Sequence, residues 1–160
     1  MTTFKNAIMD LDANGYQLQG LLPFRATKRI TFAGETDDAI GDKDGALASF
    51  PIFTVTGDVQ VFIFGICKTS LVGAGTLEVG VVGNTASLLA QISDVTALDE
   101  NMTYLDATPA LAEGVAPVVH PIGGGLDIKG KTTGTDITAG VIDFFCFWRP
   151  LSDDGNLVAA

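Results

Sequence analysis

Residues that carry chemistry are scarce in this chain. Among 160 residues there are one histidine, one tryptophan and two cysteines, and 18% are charged. His120 has neither a second histidine nor a cysteine near it in sequence, so no metal centre and no Ser–His relay can be assembled around it. There is no G-x-S-x-G elbow, and no pair of carboxylates is placed by sequence across a cleft as glycoside hydrolysis needs. The reading is not an enzyme, with no cofactor and no metal. Basic residues are also few, nine against nineteen acidic, for a net charge of −10. That balance excludes general nucleic-acid binding, which needs cationic surface to displace counterions. Apolar runs are all broken by charge, Gly or Pro well short of the ~20 residues of a membrane span, so no membrane partner is expected. No secretory signal is read, because Asp10 and Asp12 interrupt the apolar stretch that follows Lys5. Cys67 and Cys146 each lie inside an apolar run and are expected as buried, reduced thiols.

What the chain has in quantity is glycine, 19 residues of it, and apolar residues at 47%. Short apolar runs punctuated by glycine predict an all-β fold, an antiparallel β-sandwich of jelly-roll type with an extended N-terminal arm and one short helix. The organising stretch is Phe50–Ser70. It reads as two strands, 50–56 and 59–68, joined at Gly57-Asp58 and rich in the β-branched and aromatic residues that suit a pleated surface. On the second, Val59, Val61, Ile63 and Cys67 point one way and Phe62, Phe64 and Ile66 the other. Both faces are apolar, so one is expected to form the core and the other to lie under a second layer or a neighbouring subunit. Residues 141–149, Val-Ile-Asp-Phe-Phe-Cys-Phe-Trp-Arg, have the same character and are expected to pair beside 59–68 at a sheet centre. Core or subunit-interface candidates are therefore Phe62, Phe64, Phe145, Phe147 and Trp148.

Residues 1–27 are read as the arm and 28–160 as the sandwich, whose first strand is placed over 28–33. Residues 1–30 hold four basic and two acidic residues, a balance of +2, against five and seventeen in the remainder, −12. A basic, partly apolar segment ahead of an acidic body suits contact with its own body or with an acidic neighbour, and Phe4, Ile8, Arg25, Lys28 and Arg29 are its contact candidates. Further strands are expected over 76–82, 102–106, 115–122 and 126–131. The short helix is placed over 85–92, with Asn84 as its N-cap.

Two local patterns point elsewhere. Gly125-Leu-Asp-Ile-Lys-Gly130-Lys131-Thr132 matches the phosphate-binding G-x-x-x-x-G-K-[ST] string. That string works between a buried strand and a helix. The glycine- and threonine-rich residues after it cannot sustain a helix, so a hairpin is expected instead. Asp42-Lys-Asp44-Gly45 resembles a calcium loop, yet the EF-hand positions for Gly and Glu hold Leu47 and Phe53, which leaves a solvated acidic loop or a cation site of another kind.

Three stretches taken together resemble a known family: Phe53-Thr-Val-Thr-Gly-Asp-Val59; Gly75-Thr-Leu-Glu-Val-Gly-Val-Val-Gly-Asn-Thr-Ala86 with Leu89-Ala-Gln91; and Trp148-Arg-Pro-Leu-Ser-Asp-Asp-Gly-Asn156. With Asp106-Ala-Thr-Pro109 between them, they look like small virion proteins of tailed bacteriophages encoded among the head genes. The resemblance spans about residues 30–160 and brings no catalytic residues. It implies a structural component of the particle: a capsid decoration (cement) protein on the capsid surface, assembled in the host bacterial cytoplasm. Its implied partners are the major capsid protein and further copies of itself, a trimer being favoured. The other reading is a tail or fibre module that recognises host-surface sugars through Tyr16, Tyr104 or Trp148.

Overall fold

The computed structural model describes residues 22–112 and 118–160, and these form an antiparallel β-sandwich. Ten strands are present among the described residues: β1 (Phe24–Thr31), β2 (Ser49–Thr56), β3 (Val59–Val72), β4 (Thr76–Val81), β5 (Asn84–Ile92), β6 (Thr103–Tyr104), β7 (His120–Ile122), β8 (Ile128–Thr133), β9 (Ala139–Pro150) and β10 (Asn156–Ala159). The first sheet runs β1-β9-β3-β6, with β7 also on the β6 side of β3; the second runs β10-β2-β8-β4-β5.

The two doubly apolar stretches do lie side by side. β3 and β9 pair antiparallel with Val61 opposite Trp148, Ile63 opposite Cys146 and Gly65 opposite Phe144. Their burial alternates along both strands, as a period of two demands when the faces see different surroundings. The inner set (Val59, Val61, Ile63, Cys67, Ile142, Phe144, Cys146) packs against Phe50, Ile52, Leu77, Val79, Leu89 and Ile128 of the second sheet in one continuous core. At roughly 1.5–3 kcal/mol per large apolar side chain fully buried, this core is the main stabilising term. Both cysteines are free and buried within it.

Several expectations shift. The two strands joined at Gly57-Asp58 lie in different sheets: β2 pairs with β8 and β10, so the join carries the chain from one sheet to the other. Gly57 takes φ 61° there, a left-handed value open to glycine at little cost. The stretch 85–92 is not a helix but strand β5, paired with β4. Gly83, at φ 86°, turns Val82 back towards Asn84, and pairing with β4 overrides a local composition that tolerates helix. The one helical turn among the described residues is instead 3₁₀, at Val95–Ala97, where the Asp94 carboxylate accepts the Thr96 amide at 3.0 Å. On β4 the Glu78 carboxylate is buried and is satisfied by the neighbouring strand β5, accepting from Thr85 Oγ1 at 2.5 Å and from Gln91 Nε2 at 3.0 Å.

The first strand begins at Phe24, so residues 24–27 belong to the sandwich rather than to an arm. Of the expected arm contacts, Arg25, Lys28 and Arg29 are therefore strand residues, while Phe4 and Ile8 lie outside the described residues.

Candidate docking surface

The phosphate-loop string is a strand and its lead-in turn. Residues 128–133 form β8 between β2 and β4. Gly124 and Gly125 both take φ 68°, and their amides bond to Asp58 Oδ1 at 2.8 Å and to the Gly57 carbonyl at 2.9 Å. Their N–H groups therefore fasten the turn to the β2–β3 join and do not converge on an anion. In the acidic loop, Asp42 accepts the Asp38 and Asp44 amides, each at 3.0 Å, and these bonds hold its carboxyl below the usual carboxylate range. Asp136 accepts the Lys43 amide at 3.0 Å. These carboxylates brace backbone, and no group of three or more metal-ligating side chains occurs among the described residues. His120 is half-buried on β7 beside Phe62.

The feature that distinguishes the molecule is the outer face of the first sheet. Phe62 and Phe64 of β3 stand opposite Phe147 and Phe145 of β9. All four are only half-buried. Their rings form a tier: 5.3 Å between Phe64 and Phe145, 6.3 Å between Phe64 and Phe147, 6.5 Å between Phe62 and Phe147. Near-parallel rings at such spacing add roughly 0.5–1.5 kcal/mol per pair beyond area burial. Ile66 extends the apolar column along β3.

Polar groups frame it. Beside Phe147 on the edge strand stands Arg25, exposed and with no ion-pair partner among the described residues. Two residues on, Thr27 is opposite Phe145, and then Arg29 is opposite Asp143. Arg29 grips Asp143 with two parallel bonds, Nε to Oδ1 at 2.7 Å and Nη2 to Oδ2 at 2.8 Å. The guanidinium holds the Asp143 carboxyl below its usual range. At the other end Arg149 Nε donates to Gln60 Oε1 at 2.8 Å. Lys28 leaves this face and donates from Nζ to the Ala160 carbonyl, tying β1 to the end of the second sheet.

Of the five aromatic candidates, Phe62, Phe64, Phe145 and Phe147 thus come together on one face. Trp148 points the other way, 8% exposed in the core with its ring 4.8 Å from that of Phe24. Tyr104 is buried too, and its hydroxyl reaches the Leu77 carbonyl at 3.0 Å and the Ala90 carbonyl at 2.8 Å, pinning the edge of the first sheet to the second. Of the three side chains that the alternative sugar-binding reading would use, Tyr104 and Trp148 are thus buried, and Tyr16 lies outside the described residues. Sequence reasoning did not find the frame of arginines, because β1 lies more than a hundred residues from β9.

No protein-family model, no curated protein and no solved structure matches the chain.

Proposed function

We propose that this is a structural protein of a tailed-bacteriophage particle, a capsid decoration protein that binds the major capsid protein and assembles with copies of itself, trimers being favoured. One observation carries the reading. A sandwich with a complete core still gathers four half-buried phenyl rings on the outer face of its first sheet, and a contiguous apolar patch of that kind marks an interaction surface. Aromatic centres framed by arginine are also the usual composition of binding hot spots. The family likeness of residues 30–160 supplies the setting. The virion is a place where many weak contacts add up, since linked copies gain avidity without new contacts.

The test is co-sedimentation of the purified protein with capsids of a phage that encodes it. Saturable binding at fixed stoichiometry is expected. Protein that stays in the supernatant at micromolar concentration, with the sandwich intact by circular dichroism, removes the decoration reading.

A further inference from the structure

The fold sorts charge in a way the linear sequence hides. Strands β1, β3 and β9 carry Arg25, Lys28, Arg29, Lys68 and Arg149 against Asp143 alone, five basic residues to one acidic. The other described residues hold three basic and fifteen acidic residues, so a sheet of +4 sits in a body of −12. The sorting also has a direction. β1, with Arg25 and Arg29, is one edge of the first sheet. The opposite edge is β6, embedded in residues 93–112, which contain Asp94, Asp99, Glu100 and Asp106 and no basic residue. Residues 99–102 lie along β3 there, with the Cys67 amide bonded to the Met102 carbonyl at 2.9 Å and the Asn101 amide to the Cys67 carbonyl at 2.8 Å. On the same acidic flank Leu111 is 70% exposed, a large apolar side chain with no cover among the described residues.

From this arrangement we infer that the phenyl face and its arginine edge are occupied by the acidic 93–112 flank of a second copy, in a head-to-tail contact. This deepens, and rests on, the reading of the protein as a self-assembling structural module. Two phenyl faces meeting each other would bring Arg25, Arg29 and Arg149 of both copies together, and like charges across an interface oppose association. The acidic flank instead brings opposite charge to the frame and Leu111 to the rings. Because two different surfaces meet, each copy keeps one of each free for the next, so the contact closes into a ring or, failing closure, runs on as a fibre. Arginine and lysine along β1 also discourage edge-to-edge strand pairing, which leaves side chains to make the join.

Sedimentation velocity and native mass measurements on the intact chain test it. The wild type is expected as a closed oligomer at low salt that loosens as salt rises, since exposed charges are screened beyond about 10 Å at 0.1 M. Arg25→Glu alone, and Asp99→Lys with Glu100→Lys, should each raise the dissociation concentration at least tenfold. All three substitutions in one chain should restore association, because reversed face then meets reversed flank. Circular dichroism of each variant establishes that it is folded. A wild type that remains monomeric at tens of micromolar overturns the inference, as does an Arg25→Glu chain that associates more tightly with wild type than wild type does with itself. Capsid binding separates the two readings: a monomer that still coats capsids sinks the self-contact alone, whereas a head-to-tail oligomer that ignores capsids removes only the decoration role.

Discussion

Phe64 and Phe145 face each other across β3 and β9 with ring centroids 5.3 Å apart and planes 19° from parallel. One strand position away, Gly65 faces Phe144 across the same pair, and Phe144 is fully buried on the other side of the sheet. The same two strands therefore hold phenylalanines with different work to do: Phe144 fills the core, while Phe64 and Phe145 shape a surface.

The two classes should separate on truncation. Phe144→Ala is expected to cost about 3–5 kcal/mol, as removal of a buried phenyl does. Phe64→Ala should cost clearly less stability yet weaken oligomer or capsid association. Urea unfolding beside sedimentation measures both, and equal loss of stability at the two positions would place Phe64 in the core.

Gly130, in the string that resembles a phosphate loop, has a packing role. A Cβ there would run into the Phe50 ring, itself fully buried. Gly130→Ala should destabilise by about 1–3 kcal/mol through overpacking. Lys131→Ala, at a half-buried strand position, should leave the unfolding midpoint nearly unchanged and alter no nucleotide binding. Isothermal titration with ATP and urea melts decide the matter.

Stability should fall on the alkaline side. Burial pushes the Cys146 thiol up to about 12 and raises Tyr104 above its ordinary value. Both groups bind protons more tightly folded than unfolded. Their contribution is complete below the unfolded values, about 8.5 for cysteine and 10 for tyrosine, and is lost as pH rises beyond them. Each fully titrating group adds a slope of about 1.4 kcal/mol per pH unit. Cys146→Ala should flatten the decline between pH 9 and 12, and Tyr104→Phe should flatten it above pH 10, both read from urea midpoints at stepped pH.

At the acid end, Asp143 should titrate below the usual carboxylate range while Arg29 holds it, and Arg29→Ala should return it upward. The ion pair's contribution is present above the ordinary carboxylate pKa and lost as pH falls through the depressed one. Because the Arg29 side chain is 64% exposed, the effect on global stability should be small. A carboxyl-detected NMR titration of both proteins shows the shift directly, and identical curves would deny the pairing.

Short-range physics made much of this legible in the sequence. Alternation of side chains at period two is local, so 59–68 and 141–149 announced themselves as doubly apolar strands, and the buried state of Cys67 and Cys146 followed from where they sat. The helix placed over 85–92 shows the limit. Its residues accept either conformation, and only pairing with β4 selects strand. The join at Gly57-Asp58 is a similar case, since a turn dipeptide fixes a local reversal but not the sheet in which the next strand lands.

By itself, then, the sequence determined that β3 and β9 would be apolar on both faces and that the protein would be built from strands. Tertiary structure alone decided which apolar face went inward, and that the outward one would collect arginines from β1 and β9 while acids gathered at the opposite edge. The physical reason is that face periodicity is a property of each strand, whereas charge distribution over a surface depends on strand order, which joins residues more than a hundred positions apart.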